Sequence, residues 1–503
     1  MRPHFPLVTL GLLTACSAPE FEAQPGADSG SGAAGKAGAD AQADVAAGGN
    51  DAGDATAPTG PWAKQWYTRL GWPDTHTLGG VAREGNRALV FGRSFVEAPP
   101  GACTMPQKPD VLWLEEFESE NGNSVAAADE FVSNERAFAT AVAYGGGGRR
   151  FVGGGVVGML QFPDASVVGE AEPCVEGVGR GSAFFARKQG NAWTKKSAIG
   201  ANQQIVFDVD AAAGSGMLAT GTTHAITTVA GKSIDGPEFP DCFLSSSDTA
   251  TSNFVAVLGG TSAQYCQALA TDGSRIAVAG SNAGIMTGAG APLPTAGGDD
   301  AFVAVFDVLG VPIWREGFGS TGKESALDVA LSKDMVIAVG NFSGSFTHAG
   351  PLISKGDQDA FVVAFDLAGK KLWEFSLGTE GSDRAEDVAI ASDGRVFVAG
   401  YLNNSSSATV PLQVGNVSKS VQERDAFILE LSEKGAFISF VQLGGKGHQA
   451  VAGIVLSGDT ATDDVIVAGT FSSELRVEGN VLDTENVVTS PFGGLGYLMR
   501  LRP

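Results

Sequence analysis

Short apolar runs that reach a glycine recur along the chain at a nearly constant interval. ALVFG, RFVGG, MLATG, IAVAG, IAVG, VFVAG and VIVAG carry Gly92, Gly153, Gly221, Gly280, Gly340, Gly400 and Gly469, spaced by 61, 68, 59, 60, 60 and 69 residues. The runs are rich in Val, Ile and Phe and bounded by Gly, Asp and Ser, the signature of strands buried on both faces. No window sustains a helical period. A fixed period of this length marks a repeat architecture whose units bury their apolar faces only by stacking on neighbours. Seven such units are enough for radially packed four-stranded sheets to close into a ring.

The best-preserved units show what lies between the recurrences. DAFVAVFDVLGVPIW begins at Asp300, DAFVVAFDLAGKKLW at Asp359 and DAFILELSEKGAF at Asp425. Gly310, Gly369 and Gly435 each fall ten residues after the aspartate, as a tight turn between paired strands requires. Trp314 and Trp373 lie fourteen residues after it and are expected to pack as outer-strand core. Asp300, Asp359 and Asp425 occupy equivalent places, and repetition favours a structural cap over a site. The same holds for Asp328 and Asp387.

These units resemble the SBBP-type beta-propeller repeat of secreted or surface-attached bacterial and archaeal proteins. Residues 298–402 fit that pattern closely and 424–471 fit well, whereas 62–282 match only in strand spacing and glycines. The resemblance implies an all-β fold: a seven-bladed β-propeller of four-stranded antiparallel blades. It puts the D-V-A strand innermost as strand A (Ala326–Leu331, Glu386–Ala391), the glycine run as strand B, the DAF run as strand C and the Trp strand as strand D. It supplies no catalytic residues. The C-terminal GLGYLMRLRP reads as a strand C with no successor and Ala63–Gly71 as a strand D with no predecessor, so residues 62–71 and 494–502 are expected to close the last blade. In blade three, Phe254–Leu258 reads as strand C, leaving the outer strand missing or supplied by the insertion at 226–251.

Residues 1–16 read as an address. Arg2 precedes FPLVTLGLL, and Leu13-Thr14-Ala15-Cys16 resembles the lipobox of bacterial lipoproteins, which implies acylation of Cys16 and anchorage to a lipid bilayer. Ser17 after the cysteine resembles the outer-membrane signal of Gram-negative lipoproteins. Residues 17–60 are nearly all Ala, Gly, Asp, Ser and Pro and cannot bury enough surface to fold, so they are expected to form a disordered tether to a propeller at 61–503. The net charge is −23; residues 1–60 hold two basic and seven acidic residues, or −5, which leaves −18 on the propeller and argues against nucleic acid as a partner.

Four further cysteines fit an extracytoplasmic disulfide set, expected as Cys103–Cys174 and Cys242–Cys266. A four-cysteine zinc site competes, but no C-x₂-C pair exists and no metal or cofactor is expected. Cys103, Cys174 and Cys242 fall in connections between strands B and C, and Cys266 opens a strand A. The B–C connections run long at 159–180, 226–251, 403–423 and 474–492, on the face that also carries the D–A turns. Those turns bring Asp74, His76, Glu135, Arg136, Lys323, Glu324, Asp383, Arg384, Lys446 and His448 to the mouth of the central channel. Of these, Asp74, His76, Arg136, Glu324, Asp383, Arg384 and His448 form the candidate ligand face, set against the simpler reading of solvated charged turns. The five histidines show no metalloprotease spacing, no nucleophile elbow has partners, and GSTGKES lacks full phosphate-loop spacing. The expected function is a tethered, non-catalytic binding or adhesion scaffold with an extracellular or periplasmic protein or glycan partner. A periplasm-facing scaffold for envelope assembly and a propeller enzyme acting on glycans or peptides are the alternatives.

Overall fold

The computed structural model describes residues 62–70, 75–95, 110–133, 136–164, 167–169, 181–200, 205–212, 216–223, 227–229, 232–234, 239–247, 254–288, 290–347, 351–404, 410–458, 463–484 and 494–503. Seven antiparallel sheets are arranged as the blades of a propeller, and no helix occurs among the described residues. Blade one comprises strands A to D at Thr75–Glu84, Arg87–Phe95, Val111–Glu118 and Asp129–Ser133; blade two, Arg136–Gly145, Arg149–Val157, Gly181–Gln189 and Ala192–Gly200. Blade three uses Ile205–Ala211, Met217–Thr223, Asp241–Ser247 and Phe254–Gly260, and blade four Gln264–Thr271, Arg275–Asn282, Asp300–Asp307 and Pro312–Phe318. Blade five has Glu324–Leu331, Met335–Phe342, Asp359–Asp366 and Lys371–Leu377; blade six, Arg384–Ile390, Val396–Asn403, Arg424–Leu431 and Phe437–Gly444. Strands A of blades five and six start two residues before the positions read from the repeat.

Blade seven takes Gln449–Leu456, Val465–Phe471 and Leu495–Arg502 from the C-terminal end and Ala63–Arg69 from the N-terminal end. The closure joins the expected segments antiparallel, from Ala63 opposite Arg502 to Arg69 opposite Tyr497. Blade three departs from expectation. Phe254–Leu258 is its outer strand D, and strand C is DCFLSSS, Asp241–Ser247, inside the presumed insertion. The polar SSS end hid that strand, although every residue from Asp241 to Ser247 is buried. Cys242 therefore lies in strand C rather than in a connection.

Five of the recurring glycines, Gly221, Gly280, Gly340, Gly400 and Gly469, have a common cause. Every strand A carries a one-residue bulge, and in six blades the residue before it faces the glycine: Leu78–Gly92, Val206–Gly221, Cys266–Gly280, Ala326–Gly340, Ala385–Gly400 and Val451–Gly469. In blade two the partner of Ala139 is Gly154, one residue after Gly153. The bulge swings a backbone carbonyl against strand B. A Cβ at Gly280, Gly340 or Gly400 would overlap the carbonyl oxygen of Tyr265, Ser325 or Arg384.

The outer strands lock to the next blade. The Trp314 indole N–H donates to Leu367 O at 3.0 Å and its ring lies on Gly369; Trp373 donates to Glu433 O at 2.8 Å and lies on Gly435. Trp66 repeats the arrangement across the closing seam, on Gly122 and Ser119 O. The tight-turn glycine is thus demanded by the neighbour's indole as well as by its positive φ of 85° at Gly369 and 78° at Gly435.

The long B–C connections fold back. Met159–Gln161 pairs with strand D of blade one, Thr227–Val229 with strand D of blade two, Met286–Thr287 with that of blade three, and Glu474–Val477 with that of blade six. Each connection adds strands to the outer edge of the preceding blade and covers it. The hairpin Val410–Val414/Val417–Val421 stays a separate sheet but buries Leu412, Val414 and Val421 in the core shared with Trp373 and Phe375.

Cys242 and Cys266 form a disulfide between blades three and four, with Cα atoms 5.1 Å apart and both side chains fully buried. Cys16, Cys103 and Cys174 lie outside the described residues. Closing a loop of this separation stabilises by roughly 3 kcal/mol in the chain-entropy model. The double Cys242→Ser, Cys266→Ser variant is accordingly expected to unfold at clearly lower guanidinium concentration. An unchanged midpoint would show that the bridge adds nothing.

Candidate ligand site at the channel mouth

The channel wall consists of the strand A bulges, and its carboxylates hold the ring together. Asp208 accepts the N–H of Leu269 at 2.8 Å, Asp328 that of Val388 at 2.8 Å and Asp387 that of Ile454 at 2.7 Å, each in strand A of the next blade. In blade two, the Thr140 hydroxyl donates to Val206 O at 2.6 Å in the same sense. The three aspartates are half-buried. Desolvation pushes Asp208 and Asp387 well above the usual carboxylate range and raises Asp328 as well, and the Asp328 and Asp387 carboxyls share a hydrogen bond.

The D–A turns obey a second rule. Two residues before the bulge partner stand Gln264, Glu324, Asp383 and Gln449 in blades four to seven, all buried. Glu324 accepts the N–H and Oγ–H of Ser320, both at 2.9 Å. Asp383 accepts from Thr379 N–H, from Thr379 Oγ1 at 3.0 Å and from Asn403 N–H at 2.7 Å. Gln449 Nε2 bridges Lys446 O and Glu474 O at 3.0 and 2.8 Å. Glu324 and Asp383 are therefore turn caps withdrawn from solvent, not ligand-facing acids. Burial raises both to about 7. The register puts His76, opposite Ser94, at the same place in blade one. Asp74 and Glu135 lie outside the described residues, and half-buried Arg136 opens strand A of blade two opposite Val157.

A second family of caps starts strand C. Asp300 accepts from Ala296 N–H at 2.5 Å, Asp359 from Lys355 N–H at 3.1 Å, and Asp425 from Gln422 N–H at 3.1 Å and Gln442 Nε2 at 2.7 Å. Asp241 occupies the equivalent place in blade three, and burial lifts Asp241 and Asp425 to about 6. The repeated aspartates are structural, in agreement with their repetition.

Arg384 and His448 lead to a different arrangement. Arg384 stands beside Tyr401 in the A–B ladder, and Arg424 lies two positions along the B–C ladder, opposite Asn403. The Arg424 guanidinium stacks over the Tyr401 ring, 4.4 Å from its centroid. Arg384 is hydrogen-bonded to the Tyr401 hydroxyl and lies 3.5 Å from Glu386. Burial pushes the Tyr401 phenol up against the opposing pull of both arginines. A parallel bridge ties Arg424 to His448, whose N–H donates to Ser472 Oγ at 2.8 Å. No family model and no curated protein matches the chain. Among solved structures it is similar to Sqt1 from Chaetomium thermophilum, at 11% identity and a TM-score of 0.41 over 86% of each chain. It is also similar to exo-inulinase from Aspergillus awamori, at 10% identity and a TM-score of 0.25 over 87% of this chain and 95% of that one. Likenesses this distant carry no argument about the site.

Sequence reasoning named Arg384 and His448 but missed Tyr401, Arg424 and Glu386. The available signal was departure from the repeat. A bulky Tyr401 follows the recurring glycine where blades three, four and five have Thr222, Ser281 and Asn341, and Arg424 precedes the strand C aspartate where blades four and five have Asp299 and Gln358.

Proposed function

We propose that the chain is a membrane-tethered extracytoplasmic lipoprotein whose propeller is a non-catalytic scaffold for a partner on the face carrying the B–C connections and D–A turns. The observation that carries this reading is the unlikeness of the two faces. In blades four to six the A–B and C–D turns are tight, whereas the opposite face is built up by hairpins braced against neighbouring blades. Its non-catalytic character is supported by the acids nearest the channel, because Glu324, Asp328, Asp383 and Asp387 are engaged in turn caps and ring contacts. The Leu13–Cys16 motif and the low-complexity stretch at 17–60 support the tether.

Residues 62–503, immobilised and screened against protein and glycan arrays, are expected to capture a partner. Charge reversal at exposed Lys323 and Lys446 is expected to abolish capture, while reversal at Lys333 on the opposite face leaves it intact. The reverse pattern would overturn the assignment of the face. Labelled palmitate should enter the wild-type protein and not Cys16→Ser. Protease shaving of intact cells separates a surface adhesin from the envelope-assembly alternative.

A further inference from the structure

The face away from the B–C connections deepens that reading, on which the proposal rests, by fixing which way the ring lies. We propose that the A–B and C–D turns face a zwitterionic lipid bilayer, and that the C–D turn of blade four, with Ile313 and Leu372 beside it, inserts into the bilayer interface as a second attachment besides the tether.

The first support is where apolar surface is exposed. Among the described residues twelve large hydrophobic side chains are exposed, and five of them, Val308, Leu309, Val311, Ile313 and Leu372, fall at the C–D end of blades four and five. Leu309 and Val311 are 58% and 55% exposed. The Trp314 indole, next to Ile313, donates to Leu367 O in the C–D turn of blade five, so the outer strand of blade four abuts that turn. Leu372 stands in blade five where Ile313 stands in blade four. One exposed Leu on a soluble domain needs no explanation, but a clustered set marks a contact surface.

The second support is that the turn does not require these side chains. Asp307 fixes its backbone by accepting the N–H groups of Leu309 and Val311 at 2.9 and 2.8 Å. Asp366 does the same for Ala368 and Lys370, both at 2.9 Å, and Ser432 Oγ for Lys434 and Ala436 at 3.3 and 3.0 Å. One turn geometry is thus built on Leu and Val in blade four, Ala and Lys in blade five, and Lys and Ala in blade six. Of the three, blade four alone has large apolar residues at both places. Because the cap already orders the backbone, burying the pair in a bilayer interface costs little further entropy.

The third support, which points to lipid as the occupant, is where the tether joins the ring. Strand C ends and strand D begins at the C–D turns. Ala63 lies opposite Arg502, at the end of strand C in blade seven, so the segment that carries Cys16 joins the ring on this same face. Trp62 fixes the point of entry: it is buried, and its indole N–H donates to Ser439 Oγ of blade six at 2.9 Å. Blade four is three blades from blade seven in a ring of seven, nearly across the disc. An anchor at one side and an apolar turn at the other hold the whole face to one plane and direct the B–C connections outward. Charges flanking the patch are largely paired, Asp272 with Arg275 at 3.3 Å, Lys333 with Asp334 at 3.7 Å and Lys371 with Glu374 at 2.7 Å. The patch therefore suits a zwitterionic surface, whereas an anionic one is repelled by the −18 of the propeller.

Every strand of the ring lies within residues 62–503, so that segment, which carries no lipid, is sedimented with sucrose-loaded phosphatidylcholine vesicles. Co-sedimentation is expected. The double variant Leu309→Ser, Val311→Ser is expected to weaken partition by about tenfold, with an unchanged melting temperature because both side chains are exposed. Ile353→Ser, at an exposed residue in a B–C connection on the opposite face, is expected to leave partition intact. Replacing part of the phosphatidylcholine by phosphatidylglycerol is expected to weaken it. Wild-type protein left in the supernatant, partition indifferent to the double variant, or partition that requires phosphatidylglycerol overturns the proposal. So does self-association that the double variant abolishes while vesicles are ignored, which assigns the patch to a second copy of the chain. The two readings fail separately. Palmitate in the wild-type protein without vesicle binding by residues 62–503 keeps the anchor and removes the inserted turn; vesicle binding without palmitate keeps the turn and removes the anchor.

Discussion

Deleting Leu495–Pro503 is expected to abolish cooperative folding of the propeller. This strand lies between Val465–Phe471 and Ala63–Arg69, so its loss removes one ladder and orphans the partner of another. Tyr497, Leu498, Met499 and Leu501 are all fully buried. At roughly 2 kcal/mol for each large side chain withdrawn from water, their loss alone costs about 8 kcal/mol, within the range of total stability for an ordinary domain. Electrostatics adds to this. Asp464, with no exposed side-chain surface, is held by Arg500 at 2.7 Å and Arg502 at 2.8 Å, and Arg500 also donates to Ser119 O of blade one at 3.2 Å. Truncation strands that carboxylate without its partners, the costly way to break a buried pair. Circular dichroism melting of the truncated chain, beside the double variant Asp464→Asn, Arg500→Met, separates strand loss from charge loss. A truncated protein melting within a few degrees of the full chain would refute the closure as the source of stability.

The propeller is also expected to be more stable at pH 5 than at pH 8. Burial raises Asp210, Asp241 and Asp425 to about 6, and Glu324 and Asp383 to about 7, despite the N–H bonds that oppose it. In the unfolded chain these groups titrate near 4. Between about pH 4 and 7 the folded state therefore binds more protons, so its stability is full below the unfolded values and is lost as pH rises through the folded ones. Asp464 acts in the opposite direction. Its burial is outweighed by the bonds from Arg502 and Arg500, so its contribution disappears in stronger acid. The optimum then falls near pH 4–6, with a melting temperature about 5 °C above that at pH 8. Glu324→Gln and Asp383→Asn should each flatten the profile on its alkaline side. A melting temperature that is flat or rising from pH 5 to 8 would contradict the buried-cap account.

The architecture was legible in the sequence because it is written seven times. Five of the seven glycines answer the same bulge carbonyl, and the strand C aspartates answer the same turns, so spacing alone placed most strands. Blade three was misread because its strand C carries serines where the others carry Phe and Val; Ser245–Ser247 are buried by their neighbours, which no single run of sequence reveals. The site was legible only in part. Periodicity identifies what every blade shares, and by that measure Glu324 and Asp383 stood out as charges at the channel, whereas burial and their serine and threonine partners made them caps. Tyr401 and Arg424 become visible only against the average of the other blades, and their meeting depends on ladder register rather than on separation along the chain.

The hairpins that run back to the preceding blade separate the unit of inheritance from the unit of cohesion. A segment cut from one recurring glycine to the next carries the outer cover of the blade before it and leaves its own outer edge to its successor. Exchange or duplication of single repeats would leave one edge bare and another doubly covered, even with every core residue retained. Chimeras and circular permutants of this protein are therefore better opened in the tight C–D turns, so that an outer strand, the connection that covers it and the indole that locks it are inherited together.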